Sequence, residues 1–371
     1  MKKKSYNSIL IHSNYSPENF GGIEFVVSVL LKLFSKSNII TCFYGGARND
    51  VSRSSYDIQY ISRRILLKAG GASFLSWGNL SFISSALNSR LIIFQEPYPT
   101  LWPAVLFLRY FMRKRFIVLV HANPVSKAWV MKLYDKIRSF VFSGSVCVTT
   151  SPNLRDQIDI SRFSKSLIIP LCIPDRHSRC EDKFQLESRY ALYIGRLAKY
   201  KGLEYLLESA LICREVNFVI AGDGPLSDFI NCFIIANNLK NILFINRFVT
   251  EEEKSELISR SSFVLFPSVS ENEAFGLVQL EAMRSAKAII NTWLNSGVNY
   301  VAPNLVCAIT VPPKNSSELS VAIRMLWNDN LFAIKVGQNG CNRFHSLFCE
   351  ALFSKSWNYL LNEYLSKDKE E

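Results

Sequence analysis

The sequence contains no C-x-x-C pair, no D-x-D and only four scattered histidines. It therefore offers neither zinc-ligand spacing nor a carboxylate pair for a divalent cation, and no metal site is expected. Nine cysteines are an odd number, and most lie in apolar surroundings such as Cys147 in VCVTT. Buried free thiols in a reducing compartment fit this better than a disulfide framework. No apolar run reaches the ~18 residues a spanning helix needs. The start, MKKKSYNSILIHSNY, breaks its apolar run after residues 9–11, so no signal peptide is expected and the cytoplasm is the expected location. Neither G-x-x-x-x-G-K-[ST] nor G-x-G-x-x-G occurs, which removes the fingerprints of nucleotide triphosphatases and dinucleotide enzymes. Low-complexity tracts are absent too.

Acidic residues are scarce in one half only. Residues 1–172 hold 22 Lys and Arg against 8 Asp and Glu, whereas residues 173–371 hold 21 against 23. The overall charge of +12 therefore lies entirely in the first half, where an anionic partner is expected. With 49% hydrophobic residues, the 371-residue chain has ample material for buried cores, and its length suggests two domains.

Short apolar runs alternate with helical-length segments. SILIHS (8–13), IITCFYGG (39–46), LIIFQE (91–96), FIVLVHA (116–122), SVCVTTS (145–151) and LIIP (167–170) read as strands in the first half. YALYIGR (190–196), VNFVIAGDG (216–224), ILFINRF (242–248), SFVLFPS (262–268), KAIINT (287–292) and CAITV (307–311) read as strands in the second. Continuous apolar runs suit strands buried on both faces. Alternation with helices predicts parallel sheets with right-handed crossovers, an α/β class. Twelve strands are too many for one core, so two doubly wound domains are expected. The boundary falls in IPLCIPDRHSRCEDKFQLES (169–188), which has prolines, mixed charge and no apolar period.

Chemistry-bearing residues follow the strands, where open parallel sheets bind their ligands. Gly21 and Gly22 open an amphipathic segment after the first strand, a place for backbone N–H groups to meet an anion or simply a turn. GRLAKYKG (195–202) brings Arg196 and Lys201 to a strand-to-helix turn, suited to phosphate unless the loop is merely solvated. AGDGPL (221–226) is a tight turn with close backbone approach. FPSVSENEAFGLVQLEAM (266–283) ends a strand, crosses an acidic loop and enters a helix expected to start near Ala274. Glu273 then falls at the helix N-terminus, with Glu281 eight residues on and about 80° away around the axis. Glu273 there could serve only as a dipole partner. Glu281 interrupts an apolar face (Phe275, Leu277, Val278, Leu280, Met283), so its carboxylate needs a buried donor, and a ligand hydroxyl would serve.

In this order, GGIE (21–24), GRLAKYKGLEYLLESA (195–210), AGDGPL, FVTEEEK (248–254) and the E-x7-E segment through residue 290 resemble the family-4 glycosyltransferases. That resemblance covers most of the chain and is densest over 190–300. It implies the GT-B fold, with two doubly wound Rossmann-like domains facing across a cleft. Residues 1–172 would form the acceptor and membrane side and 186–351 the nucleotide-sugar domain. A terminal helix at about 352–371 would pack back on the first. The reaction implied is retaining and metal-independent, with no cofactor beyond a nucleotide-sugar donor. Arg196 and Lys201 would hold the diphosphate, Glu281 the ribose and Glu273 the sugar ring. Ala274, Phe275 and Gly276 would line sugar and phosphate through their backbone. Gly22 would close over the phosphates, His121 would stand near donor sugar and acceptor, and Arg247 and Phe248 would lie by the base. Three departures bear on the donor base: Arg284-Ser285-Ala286-Lys287 where the family has small residues with Gly, Arg247 where it has Gly, and Pro170-Leu171-Cys172 where it often has P-x-G. NTWLNSGVNYVAP (291–303) resembles the version in mannosyl- and rhamnosyltransferases of surface polysaccharides.

Two stretches bear on the acceptor. Residues 98–115 mix aromatics with Arg109, Arg113, Lys114 and Arg115, and residues 126–138 space Lys127, Lys132, Lys136 and Arg138 along one helix. Basic amphipathic helices suit an anionic bilayer surface as well as an ordinary solvated face. An anionic inner-membrane surface and a lipid-linked or glycan acceptor are the expected partners. No RNA or DNA recognition pattern is present, so nucleic acid is not expected. Two other readings compete with transferase: a catalytically idle paralogue serving as a membrane-bound assembly partner, and a nucleotide-cofactor oxidoreductase.

Overall fold

A computed structural model describes residues 7–14, 22–35, 38–45, 58–69, 72–75, 78–122, 128–175, 184 and 189–366. The chain divides into two compact units between Ile169 and Pro170, at the head of the proline-containing segment.

Unit 1 is built on a seven-stranded parallel sheet. Its strands are β1 (Asn7–Ser13), β2 (Asn38–Gly45), β3 (Ile58–Arg63), β6 (Leu91–Glu96), β7 (Arg115–Val120), β8 (Val146–Thr149) and β9 (Lys165–Ile168). β4 (Ile65–Ala69) and β5 (Ala72–Leu75) form a separate antiparallel pair. The sheet order is β3-β2-β1-β6-β7-β8-β9, so the winding reverses between β1 and β6. Helices α1 (Gly22–Phe34), α2 (Gly78–Ala86), α3 (Trp102–Tyr110), α4 (Ala128–Val141) and α5 (Pro152–Asp156) connect the strands. All six residues of β6 are buried, as a continuous apolar run bounded by polar residues requires when both faces are covered.

The strands absent from the sequence reading are β3 and the β4–β5 pair. β3 lies at the sheet edge and is only half-buried, so DIQYISR carries no continuous apolar run. The hairpin did have a signal, because Gly70-Gly71 separates ILLKA from ASFL.

Unit 2 has six parallel strands: β10 (Ala191–Ile194), β11 (Phe218–Gly222), β12 (Ile242–Asn246), β13 (Phe263–Phe266), β14 (Ala288–Thr292) and β15 (Ala308–Val311). Their order is β12-β11-β10-β13-β14-β15. This 3-2-1-4-5-6 winding places a reversal between β10 and β13, where open α/β sheets bind ligands. Its helices are α6 (Leu203–Ile212), α7 (Ser227–Ala236), α8 (Glu251–Arg260), α9 (Leu277–Arg284), α10 (Val298–Val301), α11 (Ser316–Asn328), α12 (Asn330–Leu347) and α13 (Glu350–Ser366). The terminal helix α13 belongs to this unit.

Local sequence explains the helix starts. Thr250 caps α8 by accepting from Glu253 N at 3.3 Å, while Glu253 Oε2 accepts from Thr250 N at 3.0 Å. This reciprocal box satisfies donors that a helix start leaves open. α9 is seated by a buried amide network. Asn291 Nδ2 donates to Gln279 Oε1 and to Ala302 O, both at 2.9 Å, and Thr310 Oγ1 donates to Asn291 Oδ1 at 2.7 Å. A satisfied network of this kind fixes one register of α9 on β14.

Candidate functional site

Two loops meet at the reversal in unit 2. The first follows β10 and carries Gly195, Arg196, Lys201 and Gly202 before α6 begins at Leu203. Hydrogen bonds to the turn after β11 hold it: Leu197 N donates to Asp223 O at 2.9 Å, and Leu226 N to Leu197 O at 3.0 Å. The close approach read from AGDGPL is therefore made to this loop. The second loop runs from Pro267 to Gly276 and enters α9. Val269 N donates to Tyr200 O at 2.8 Å, which ties the two loops together. Gly202 makes that approach possible. It sits at φ +72°, and a Cβ built there would lie 2.0 Å from the Pro267 carbonyl oxygen.

The structure brings Lys201 and Glu273 into direct contact, Lys201 Nζ donating to Glu273 Oε2, with both side chains largely buried. Ser268 Oγ donates to the same oxygen at 3.3 Å. Lys201 Nζ also stands 5.1 Å from the Phe266 ring centroid. Arg196 is exposed beside this pair in sequence, and its guanidinium has no partner among the described residues. The N–H groups of Ala274, Phe275 and Gly276 donate to no described residue, while the carbonyls of Ala274 and Phe275 are taken by Gly297 N and Gln279 Nε2. Open amides before a helix N-terminus form a place for negative charge.

The expected helix start at Ala274 is corrected. α9 begins at Leu277, and Glu273 lies in the loop before it, so the 80° relation between Glu273 and Glu281 does not apply. Glu273 is oriented by the meeting of the two loops, whereas Glu281 is carried by α9 itself. Gly276 precedes the helix as its N-cap in the left-handed conformation, φ +80°, which no turn of a right-handed helix can include, so the helix begins only after it.

Glu281 is buried on α9 and receives Lys254 Nζ from α8 at 2.6 Å on Oε1. Its Oε2 has no partner among the described residues. Burial pushes the Glu281 carboxyl above its ordinary value, against the pull of Lys254. For Lys254, burial acts downward, but Glu281 and Glu251 outweigh it and hold the ammonium above its usual value. The buried donor required by a carboxylate on an apolar face is thus a lysine for one oxygen, leaving the second open. Sequence reasoning gave Lys254 no role, although it stands in the FVTEEEK segment, at the fourth position of α8.

Arg247 is bidentate to Glu253, with both N···O distances at 2.9 Å, and its guanidinium lies 5.7 Å from the Phe184 ring centroid. Phe248 beside it is half exposed. The departure from glycine at 247 therefore adds a fixed planar cation held by the residue that completes the α8 capping box.

Gly22 and His121 belong to unit 1. Gly22 is the first residue of α1, and the glycine before it lies outside the described residues. His121 follows β7, is buried, and its Nε2 is 2.6 Å from Gln95 Oε1. Burial pushes its pKa down to about 3, and burial does the same for His12 on β1. Both imidazoles are therefore neutral at physiological pH. In the unfolded chain they would protonate from about pH 6.5 downward. Unfolding then takes up protons, so stability falls as the pH drops from about 6.5 toward 3. An NMR titration of His121 should show no protonation above pH 4, and an inflection near 6.5 would contradict the burial argument.

Glu96, at the end of β6, was missing from the sequence reading. Its carboxylate accepts from Tyr98 N at 3.2 Å, Trp102 Nε1 at 2.9 Å and Tyr134 OH at 2.9 Å. Burial raises its pKa, opposed by the Arg138 charge. With its oxygens satisfied, Glu96 pins α3 and α4 to the sheet. Arg138, read as part of a basic outer stripe, is fully buried and bonds Asp135 Oδ1 at 2.5 Å. Lys127 lies outside the described residues. Among the described residues no group of three or more His, Cys, Asp or Glu could hold a metal, and the eight described cysteines are free thiols. No described helix is long and apolar enough to cross a membrane.

Comparison with known proteins bears on the family domain and the fold. Residues 176–343 match the family described as "Glycosyl transferases group 1". The chain is 26% identical to the O-antigen chain mannosyltransferase C of Escherichia coli over 350 residues, covering 91% of this chain and 93% of that one. It is 28% identical to the D-rhamnosyltransferase WbpZ of Pseudomonas aeruginosa over 364 residues, covering 91% of each. Among solved structures, sucrose-phosphate synthase from Thermosynechococcus elongatus superposes with a TM-score of 0.77 at 16% identity, over 97% of this chain and all of the other. Anabaena HepE in complex with UDP and glucose gives 0.76 at 13% identity, over 96% of this chain and 100% of its own. Residues 176–343 thus carry a glycosyltransferase group 1 domain, within a chain of two doubly wound α/β units that has the GT-B fold.

Proposed function

We propose that this glycosyltransferase moves a hexose from a nucleotide-sugar donor to a lipid-linked glycan in the synthesis of O-antigen or a related surface polysaccharide. It does so with retention of configuration, without a metal ion, and at the inner face of the plasma membrane. The observation that carries the reading is the Lys201–Glu273 contact between the loops after β10 and β13, beside open loop amides. Similarity across 91% of the chain to an O-antigen mannosyltransferase and a rhamnosyltransferase supports the product class. The HepE complexes with UDP, glucose and UDP-glucose support a nucleotide-sugar donor.

Transfer breaks the bond between the anomeric carbon and the diphosphate oxygen. Negative charge grows on the leaving group and oxocarbenium character on the sugar. In this reading Lys201, Arg196 and the amides of Ala274, Phe275 and Gly276 stabilise the departing oxygens. Glu281 Oε2, buried and open, accepts a ribose hydroxyl, because leaving it unpaired is costly. Glu273 holds sugar hydroxyls and opposes the positive charge. Arg247 and Phe248 face the base. The acceptor hydroxyl attacks on the face the diphosphate leaves, and its proton passes to a phosphate oxygen.

Screening UDP-, GDP- and dTDP-sugars tests the donor. One nucleotide class should stabilise the protein, by about 2.7 kcal/mol at a hundredfold excess over Kd. Transfer to a lipid-linked acceptor in the presence of EDTA should give a product with the donor's anomeric configuration. An inverted linkage or loss of activity in EDTA would sink the corresponding part of the reading.

A further inference from the structure

We propose that the outer face of α4 and the end of α3 form a docking surface for an anionic lipid bilayer. This deepens the reading of a lipid-linked acceptor, although its test needs no acceptor. α4 is two-sided. Asp135, Arg138 and Ser139 turn inward, whereas Lys132, Leu133, Lys136, Ile137 and Phe140 face out. Those outward positions recur at helical spacing, so they share one face. From the end of α3 and the turn after it, Phe107, Tyr110, Phe111 and Met112 are exposed, Phe111 at 78%. Tyr110 joins the two groups, its ring stacked on Phe140 at 5.9 Å and its hydroxyl donating to Phe140 O at 3.2 Å.

The cations on this face differ from those the sequence suggested. Arg109 is turned to the Val141 carbonyl at 2.7 Å, and Lys114 donates to Leu87 O and Ser89 O. Arg113, Lys132 and Lys136 are the exposed ones. The acid of this stretch, Asp135, is engaged with buried Arg138. An apolar, aromatic surface with a cationic rim and no outward acid of its own calls for an apolar medium with anionic headgroups. A second copy docked by twofold symmetry would set Arg113, Lys132 and Lys136 against their own counterparts.

The experiment is cosedimentation of the full chain with vesicles of phosphatidylcholine alone and of phosphatidylcholine with phosphatidylglycerol. Binding should need phosphatidylglycerol and weaken with salt. Lys132→Ala with Lys136→Ala should lower the partition coefficient about 30-fold, and Phe111→Ala about tenfold. Stabilisation by nucleotide sugars should be unchanged in both variants. Absence of binding, or variants that bind like the parent, would overturn the proposal. So would a concentration-dependent dimer that the Phe111 variant abolishes, which would assign the face to a second copy. A chain that docks on these residues but binds no nucleotide sugar would keep this surface and remove the transferase reading instead.

Discussion

Lys201→Ala should lower the transfer rate by about 10²–10³-fold, the scale for losing one fixed group that meets charge developing in the transition state. The same change leaves Glu273 largely buried without its ammonium partner. Breaking such a pair from one side costs on the order of 3 kcal/mol, so the melting temperature should drop by several degrees. The two effects separate in the double variant Lys201→Met with Glu273→Gln. Removing both charges relieves the uncompensated carboxylate, so much of the stability should return while the transfer rate stays low. Recovery of the rate with stability would show that the pair only holds the loops. Rates would be measured with saturating donor and stability by thermal unfolding.

Gly202→Ala should be more damaging to the fold than any single side-chain deletion in the site, by about 4 kcal/mol or more. The left-handed conformation alone costs about 1–2 kcal/mol for alanine. The larger part comes from the Pro267 carbonyl oxygen 2.0 Å from the new methyl, with the Val269 side chain 3.0 Å away. A backbone oxygen cannot rotate aside, so the loops after β10 and β13 must separate and carry Lys201 away from Glu273. Donor binding should disappear with the stability. Gly144 supplies the control: it has nearly the same φ, +73°, but its nearest neighbour is the flexible end of Arg109 at 3.5 Å. Gly144→Ala should cost only the conformational part and leave donor binding intact. Equal losses at the two positions, measured by denaturant unfolding, would refute the close-approach argument.

Much of this site was legible because it lies on local pattern. Continuous apolar runs such as LIIFQE and FVLF are driven to be buried on both faces, and the winding of a parallel sheet then places the residues after them at one edge. That argument reached Arg196, Lys201, Glu273 and Glu281 from sequence. It failed where the partner is distant in sequence or the signal is weak. Lys254 lies 27 positions from Glu281, and nothing in its own segment says that α8 will turn it inward. Arg138 reads as one more lysine-like charge on a basic helix until Asp135 and Glu96 are seen to share its interior. The start of α9 is expected three residues early, because helix propensity continues through Glu273 and Ala274 while the left-handed backbone of Gly276 lets the helix begin only at Leu277.

By itself the sequence determined the α/β class, the two-unit division and the group 1 glycosyltransferase domain, since each follows from burial patterns or short motifs that need no long-range contact. Tertiary structure decided which charges are available. Of the basic residues in the first half, it turned Arg138, Arg109 and Lys114 to internal partners and left Arg113, Lys132 and Lys136 on the surface. In unit 2 it gave one oxygen of Glu281 to Lys254 and left the other open. A count of charges is additive along the chain, but the free energy of each depends on burial and on the partner it meets, and only folding sets those.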